Sequence, residues 1–125
     1  MFLKLAHTNL DTYQHTKNLV IESYRISKTI PSEERYSLTQ QLRRAAVSVH
    51  LNFAEGCARI SAAEQLRFME IARASLVEVD TALDVAVSLD YIKADELTGL
   101  GDLITRSFSC LTGMIKNCRK AQASK

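Results

Sequence analysis

The chain holds no tryptophan, one proline and four glycines among 125 residues. That leaves little material for a turn-rich all-β fold, which needs Gly and Pro at its many reversals. No stretch alternates apolar and polar residues over the length of a strand, and no Asn-Gly or Asp-Gly pair marks a hairpin. Long apolar runs are missing too. Uninterrupted ones last a few residues, far short of the ~20 that span a bilayer. The opening residues, MFLKLAHTN, have no long apolar h-region and no cleavage site, so no secretory signal is expected. Cys57, Cys110 and Cys118 are odd in number and form no CxxC pair. They read as free thiols in a reducing cytoplasm.

Catalytic signatures are also lacking. GxSxG, GxGxxG, the P-loop and HExxH do not occur. Ser48 and His50 lie two apart, so on a helix their side chains diverge. A di-metal bundle needs Glu-x-x-His pairs on facing helices, and none is present. His7, His15 and His50 do not share ligand spacing with each other or with the acids. No enzyme, cofactor or metal ion is therefore expected. Asp80 and Asp84 would repel as i,i+4 neighbours on a helix. Arg43, Arg44 and Arg73 are the natural cations to neutralise them.

What remains is an ordinary soluble composition, 46 % hydrophobic and 24 % charged, in a length that suits one domain, residues 1–125. Its apolar residues recur at helical spacing. A first helix is expected over about 9–30, with Thr8 and Asp11 as a capping box and Pro31 as the stop. Tyr13, Val20 and Tyr24 mark one face of it, and Leu19, Ile26 and Ile30 a second. PSEERYS is a short charged connection. A second helix follows over about 37–59, with a core stripe of Leu42, Ala45, Val49, Phe53 and Gly56 flanked by Ala46 and Cys57. Ser61 and Glu64 form the capping box of a third helix, about 62–90, with Met69, Ala72, Leu76, Val79, Leu83 and Val87 inward. Asp95 and Glu96 suit the first turn of a fourth, about 95–120. Leu97, Leu100, Ile104, Leu111, Ile115 and Cys118 form its stripe. Gly113 within it permits a close helix contact. Short connections between four such helices predict an all-α, antiparallel up-down four-helix bundle.

The second helix carries more apolar surface than a bundle core uses. At 100° per residue, Arg44, Ser48, Asn52, Glu55 and Arg59 form one polar seam. Val47, Leu51, Ala54 and Ala58 form a further apolar arc away from the core stripe. Such an arc on a soluble helix predicts an oligomer interface, and another copy of the chain is the simplest partner. The Leu19–Ile26–Ile30 face of the first helix reads as a second exposed stripe of this kind. Asn52 and Glu55 are expected to help hold the assembly together.

Charge gives a further lead. The net value is +2, but eight acids face three bases between Glu64 and Glu96. From Leu103 onward there are five bases and no acid. This basic tail either touches nucleic acid or is a solvated helix end whose cations suit the dipole. Arg43, Arg44 and Arg59, with Lys116, Arg119 and Lys120, are the candidate phosphate contacts, and symmetry would multiply them. No aromatic stacking platform and no helix-turn-helix signature is legible, so sequence-specific readout is not expected.

The run YSLTQQLRRAAVSVHLNFAEGCARIS, then EQLRFMEIARASLVEVDTALDVAVSLDYI, resembles a known family. The residues that carry the likeness are Glu34-Arg35, Leu38, Gln41 to Ala45, Ser48, Asn52, Ala54 to Gly56 and Arg59. Phe68, Ala72, Ser75 and Glu78 continue it. They are similar to the bacterial four-helix-bundle proteins encoded in intervening sequences of 23S rRNA genes. That resemblance implies a bundle assembling as a homopentamer. Related bundles are the accessory variability determinant proteins of diversity-generating retroelements, basic pentamers that bind a reverse transcriptase and nucleic acid. The expected function is a non-enzymatic cytoplasmic scaffold that contacts RNA, DNA or a ribonucleoprotein. The alternatives are a protein-only adaptor or an accessory protein for a reverse transcriptase.

Overall fold

The computed structural model describes residues 1–124, so Lys125 of the basic tail lies outside the described residues. Four helices form an antiparallel bundle: α1 (Asp11–Ser27), α2 (Leu38–Ala58), α3 (Ala62–Ser88) and α4 (Thr98–Ala123). Short 3-10 turns at Ala6–Asn9, Ser32–Glu34 and Ala94–Leu97 precede α1, α2 and α4. Each helix packs on its two chain neighbours around a square, with α4 closing back on α1, and the α2–α3 pair is the most extensive.

The start signals work in part. Ser61 Oγ accepts the Glu64 N–H at 3.2 Å, as a helix N-cap should. Glu96 reaches back to the Lys93 N–H at 3.1 Å. The Thr8 cap does not form. Thr8 Oγ1 donates to the Leu5 carbonyl inside a 3-10 turn, and α1 starts three residues later, at Asp11. A hydroxyl that bonds backwards within its own turn is lost to the helix ahead.

Helix α1 also buries a different face from the expected one. Leu19, Ile26 and Ile30 belong to the core, together with Thr12, Thr16, Ser23 and Ser27. These seven positions, six in the helix and Ile30 just beyond it, make a single stripe at 3- and 4-residue spacing. Tyr24 is exposed, and Tyr13 and Val20 only flank the core. The hydroxyls hid the pattern. Two of them go inside while donating to their own backbone, Thr16 to the Thr12 carbonyl at 2.9 Å and Ser27 to the Tyr24 carbonyl at 2.7 Å, whereas the Ser23 hydroxyl is buried without a partner among the described residues. The Leu19–Ile26–Ile30 stripe is therefore no second interaction surface.

The α2 stripe is as expected: Leu42, Ala45, Ala46, Val49, Phe53 and Gly56 are buried. In α3, Ala86 is buried and Val87 only half so. Gly56, not Gly113, is the close helix contact. A Cβ at Gly56 would lie 2.8 Å from Met69 Cε and 3.1 Å from Phe68 Cβ, whereas Gly113 has open space around it.

Candidate nucleic-acid interface

At the end of the bundle where α1 stops and α2 begins, an open groove of about 670 Å³ runs along the outside. Tyr24 of α1, Arg35 and Tyr36 of the connection, and Arg43, Arg44 and Leu51 of α2 line it. Pro31 stops the first helix and turns the chain, so the connection reaches this end. Glu34 then pins it. Its carboxylate accepts from the Ser37 hydroxyl and from Tyr91 Oη at 2.9 Å, and these bonds hold its pKa below the usual carboxylate range. The next two residues are presented outward as a result: Arg35 lies over the Tyr36 ring at 5.7 Å, and that ring is 80 % exposed.

Arg43 is held from two sides. Its Nε donates to Ser27 Oγ at 2.8 Å, and its guanidinium sits 5.0 Å from the centre of the Tyr24 ring. Arg44 points about 100° away and is exposed. Among the described residues, none of Arg35, Arg43 and Arg44 has a carboxylate partner. Three cations without counter-charge, interleaved with two tyrosine rings, suit a polyanion that also presents flat, stackable faces.

The other candidate cations lie elsewhere. Arg59 is about 22 Å further along α2, at the opposite end of the bundle. It pairs with Glu55, approaches Glu64 at 3.5 Å, and lies 4.9 Å from the Phe68 ring centre. Arg119 pairs with Glu70 at 3.2 Å. Lys116 and Lys120 are exposed on the same end of α4. The structure thus separates the six candidates into Arg43 and Arg44 in the groove and four at the far end, two of them already ion-paired.

Part of the polar seam of α2 is bonded within the chain. Ser48 Oγ shares a hydrogen bond with Ser75 Oγ of α3 at 2.8 Å. Asn52 Nδ2 donates to the Ser48 carbonyl at 2.9 Å and to Ser48 Oγ at 3.0 Å. Glu55 faces Arg59 one turn on. The apolar arc lies on the outside. Leu51 is 60 % exposed, Ala58 is exposed, and Val47 and Ala54 are half-buried. Val47 and Leu51 also form a wall of the groove.

Asp80 and Asp84 depart from expectation. Both are exposed and neither forms an ion pair among the described residues. Arg73 turns instead to Thr112 Oγ1, at 3.3 Å, and to the Phe108 ring. Arg43 is held by Ser27 and Tyr24 of α1, and Arg44 lines the groove. No group of three or more His, Cys, Asp or Glu residues able to hold a metal occurs among the described residues. No described helix is long and apolar enough to cross a membrane.

Sequence reasoning missed Arg35, Tyr36 and Tyr24. The two tyrosines come from different segments and supply the aromatic surface that no single stretch of sequence displayed. The only local signal was ERY standing seven residues ahead of RR.

Fold and groove together define a small four-helix bundle with an aromatic-lined outer groove whose arginines form no ion pair among the described residues. The chain belongs to the 23S rRNA-intervening sequence protein family, whose pattern it matches over residues 8–113. Its fold is similar to the crystal structure of a protein of unknown function from the S23 ribosomal protein family of Bacteroides thetaiotaomicron. The two superpose with a TM-score of 0.77 at 18 % identity, covering 84 % of this chain and 98 % of the other. No curated protein matches the sequence significantly.

Proposed function

We propose that this protein is a non-enzymatic binding scaffold whose groove holds single-stranded RNA, free or within a ribonucleoprotein. The observation that carries this reading is the convergence of Arg35, Arg43 and Arg44, unpaired with acids, on the Tyr24 and Tyr36 rings. Phosphates would meet the guanidinium groups, and an unstacked base would lie on the open face of Tyr36. The apolar arc Val47–Leu51–Ala54–Ala58 would meet a second copy, repeating the groove around a ring. Five copies is the number that the family resemblance implies. The free cysteines suit a cytoplasmic setting. A net charge of only +2 sets the chain apart from strongly basic partners of a reverse transcriptase.

Fluorescence polarisation with a labelled single-stranded RNA and a matched hairpin, each at low and moderate salt, tests the reading. The single strand is expected to bind more tightly and to weaken as salt rises. Arg44→Gln should weaken binding of all sequences and lower the salt slope by roughly one per engaged groove. Tyr36→Ala should cost about 1–3 kcal/mol through lost stacking. Absence of binding at low salt, or indifference to salt, sinks the proposal. A partner captured equally well after nuclease treatment would point to the protein-only adaptor instead.

A further inference from the structure

The first five residues, MFLKL, form no regular structure and no part of the core. Phe2 is 88 % exposed and Leu3 70 %, the most solvated large apolar side chains ahead of α1 besides Met1. The segment carries Lys4, and no acid occurs among residues 1–10. It is a short arm, apolar and positive.

The bundle has a surface of opposite charge. Between α3 and α4, two adjoining hollows of about 310 and 380 Å³ share Asp80 and Ile104 and form one trough. Val77, Val87 and Phe108 supply apolar walls, and Asp84 stands beside Asp80. Phe108 and Val77 are 42 % and 52 % exposed. The surrounding stretch from Glu78 to Glu96 holds six acids and one base. Two carboxylates one turn apart, without a cation, repel each other, and a positive group set between them would relieve that repulsion. Arg106 does not supply it, being paired with Asp102 at 2.9 Å. Arg73 is turned towards Thr112.

The arm cannot fill the trough of its own chain. Ala6 and His7 lie level with Gln65 and Met69 of α3, where they line a common cavity. Asp80 and Asp84 are 11 to 19 residues further along that helix, about 16–28 Å at 1.5 Å per residue. Lys4 stands two residues ahead of Ala6, at most about 7 Å of extended backbone, too little to set its ammonium between those two carboxylates. The matching charge and the limited reach select another copy of the chain.

We infer that the N-terminal arm of one subunit docks in the α3–α4 trough of its neighbour, with Phe2 and Leu3 in the apolar hollows and Lys4 between Asp80 and Asp84. This is a head-to-tail contact. It joins two different surfaces, so its repetition gives a closed ring when the rotation closes. It rests on the assembly named above, but on neither the groove nor RNA.

Two measurements test it. In the full chain, Phe2→Ser with Leu3→Ser should lower the assembled mass in light scattering without lowering the melting temperature, since neither residue is in the core. A labelled peptide, MFLKLAHTNL, should bind that variant and weaken several-fold as salt rises. It should bind at least tenfold more weakly when Asp80→Asn and Asp84→Asn are added. An unchanged mass without peptide binding overturns the arm while leaving assembly through the α2 arc intact. Peptide binding indifferent to the two aspartates removes the trough as its seat and overturns the proposal. A wild-type monomer that binds no peptide overturns both the arm and the assembly.

Discussion

His50 sits between α1 and α2, where its Nδ1 shares a hydrogen bond with Thr16 Oγ1 at 2.8 Å. The Tyr13 ring meets the imidazole edge-on at 4.8 Å. Burial pushes the His50 pKa below 6.5, and the nearby charges of Lys17 and His7 push it the same way. The unfolded chain therefore takes up this proton before the folded one. The stability that neutral His50 contributes is complete above pH 6.5 and falls as pH drops from there through the folded pKa. Glu22 and Glu34, both lowered from 4.5, lose their contributions only at more acid pH. Melting temperatures should thus decline between pH 7 and 5, and His50→Gln should flatten that decline. An identical pH profile in the variant would remove His50 as the cause. A second residue stands out by its backbone. Asp90 has a φ of 61° at the end of α3, where the Tyr91 N–H bonds to the Ala86 carbonyl and the Asp90 N–H to that of Val87. Side chains with a Cβ are strained there, so Asp90→Gly should stabilise the fold by roughly 0.5–1 kcal/mol in chemical denaturation.

Helices meet one another through small residues at different places, and the glycines show how position decides a substitution. At Gly56 the α2 and α3 backbones approach so closely that a Cβ meets Phe68 Cβ at 3.1 Å. Met69 Cε is the end of a flexible side chain and can move aside; Phe68 Cβ is fixed to its helix. Gly56→Val should destabilise by roughly 1–3 kcal/mol through overpacking. Gly113 on α4 has nothing within 4 Å, so Gly113→Ala should stabilise by up to about 1 kcal/mol through helix propensity alone. Paired denaturation curves check both signs. Helical spacing made the apolar stripes of α2, α3 and α4 legible from the sequence. The α1 stripe was not legible, because four of its six buried positions are hydroxyls. A hydroxyl reads as polar in any hydropathy pattern, yet it can satisfy itself on its own helix and go inside.

For the molecule as a whole, folding and assembly draw on different surfaces. Leu76 is 1 % exposed in the centre of the bundle. Leu76→Ala should cost about 2–5 kcal/mol by leaving a cavity. Ala54 lies on the outer arc of α2 and belongs to no part of the core. Under the proposed assembly, Ala54→Glu should lower the mass in light scattering while the melting of the single chain changes little. An unchanged mass would show that this arc is not the interface. The two ends of the bundle also differ. One carries unpaired arginines beside tyrosines, while Arg59 and Arg119 at the other are occupied by carboxylates.

The sequence by itself determined the four helices, their order and most of their inward faces, because helical period, capping and proline stops act over a few neighbouring residues. It also showed an apolar arc on α2 that the bundle core leaves outside. Only the tertiary structure decided which cations are free. Arg43 turned out to rest on Tyr24 and Ser27 rather than on an acid, Arg59 to be occupied, and Asp80 and Asp84 to stand without ion-pair partners among the described residues. Such pairings depend on how one helix is rotated against the next, and that rotation is set by the packing of the whole core.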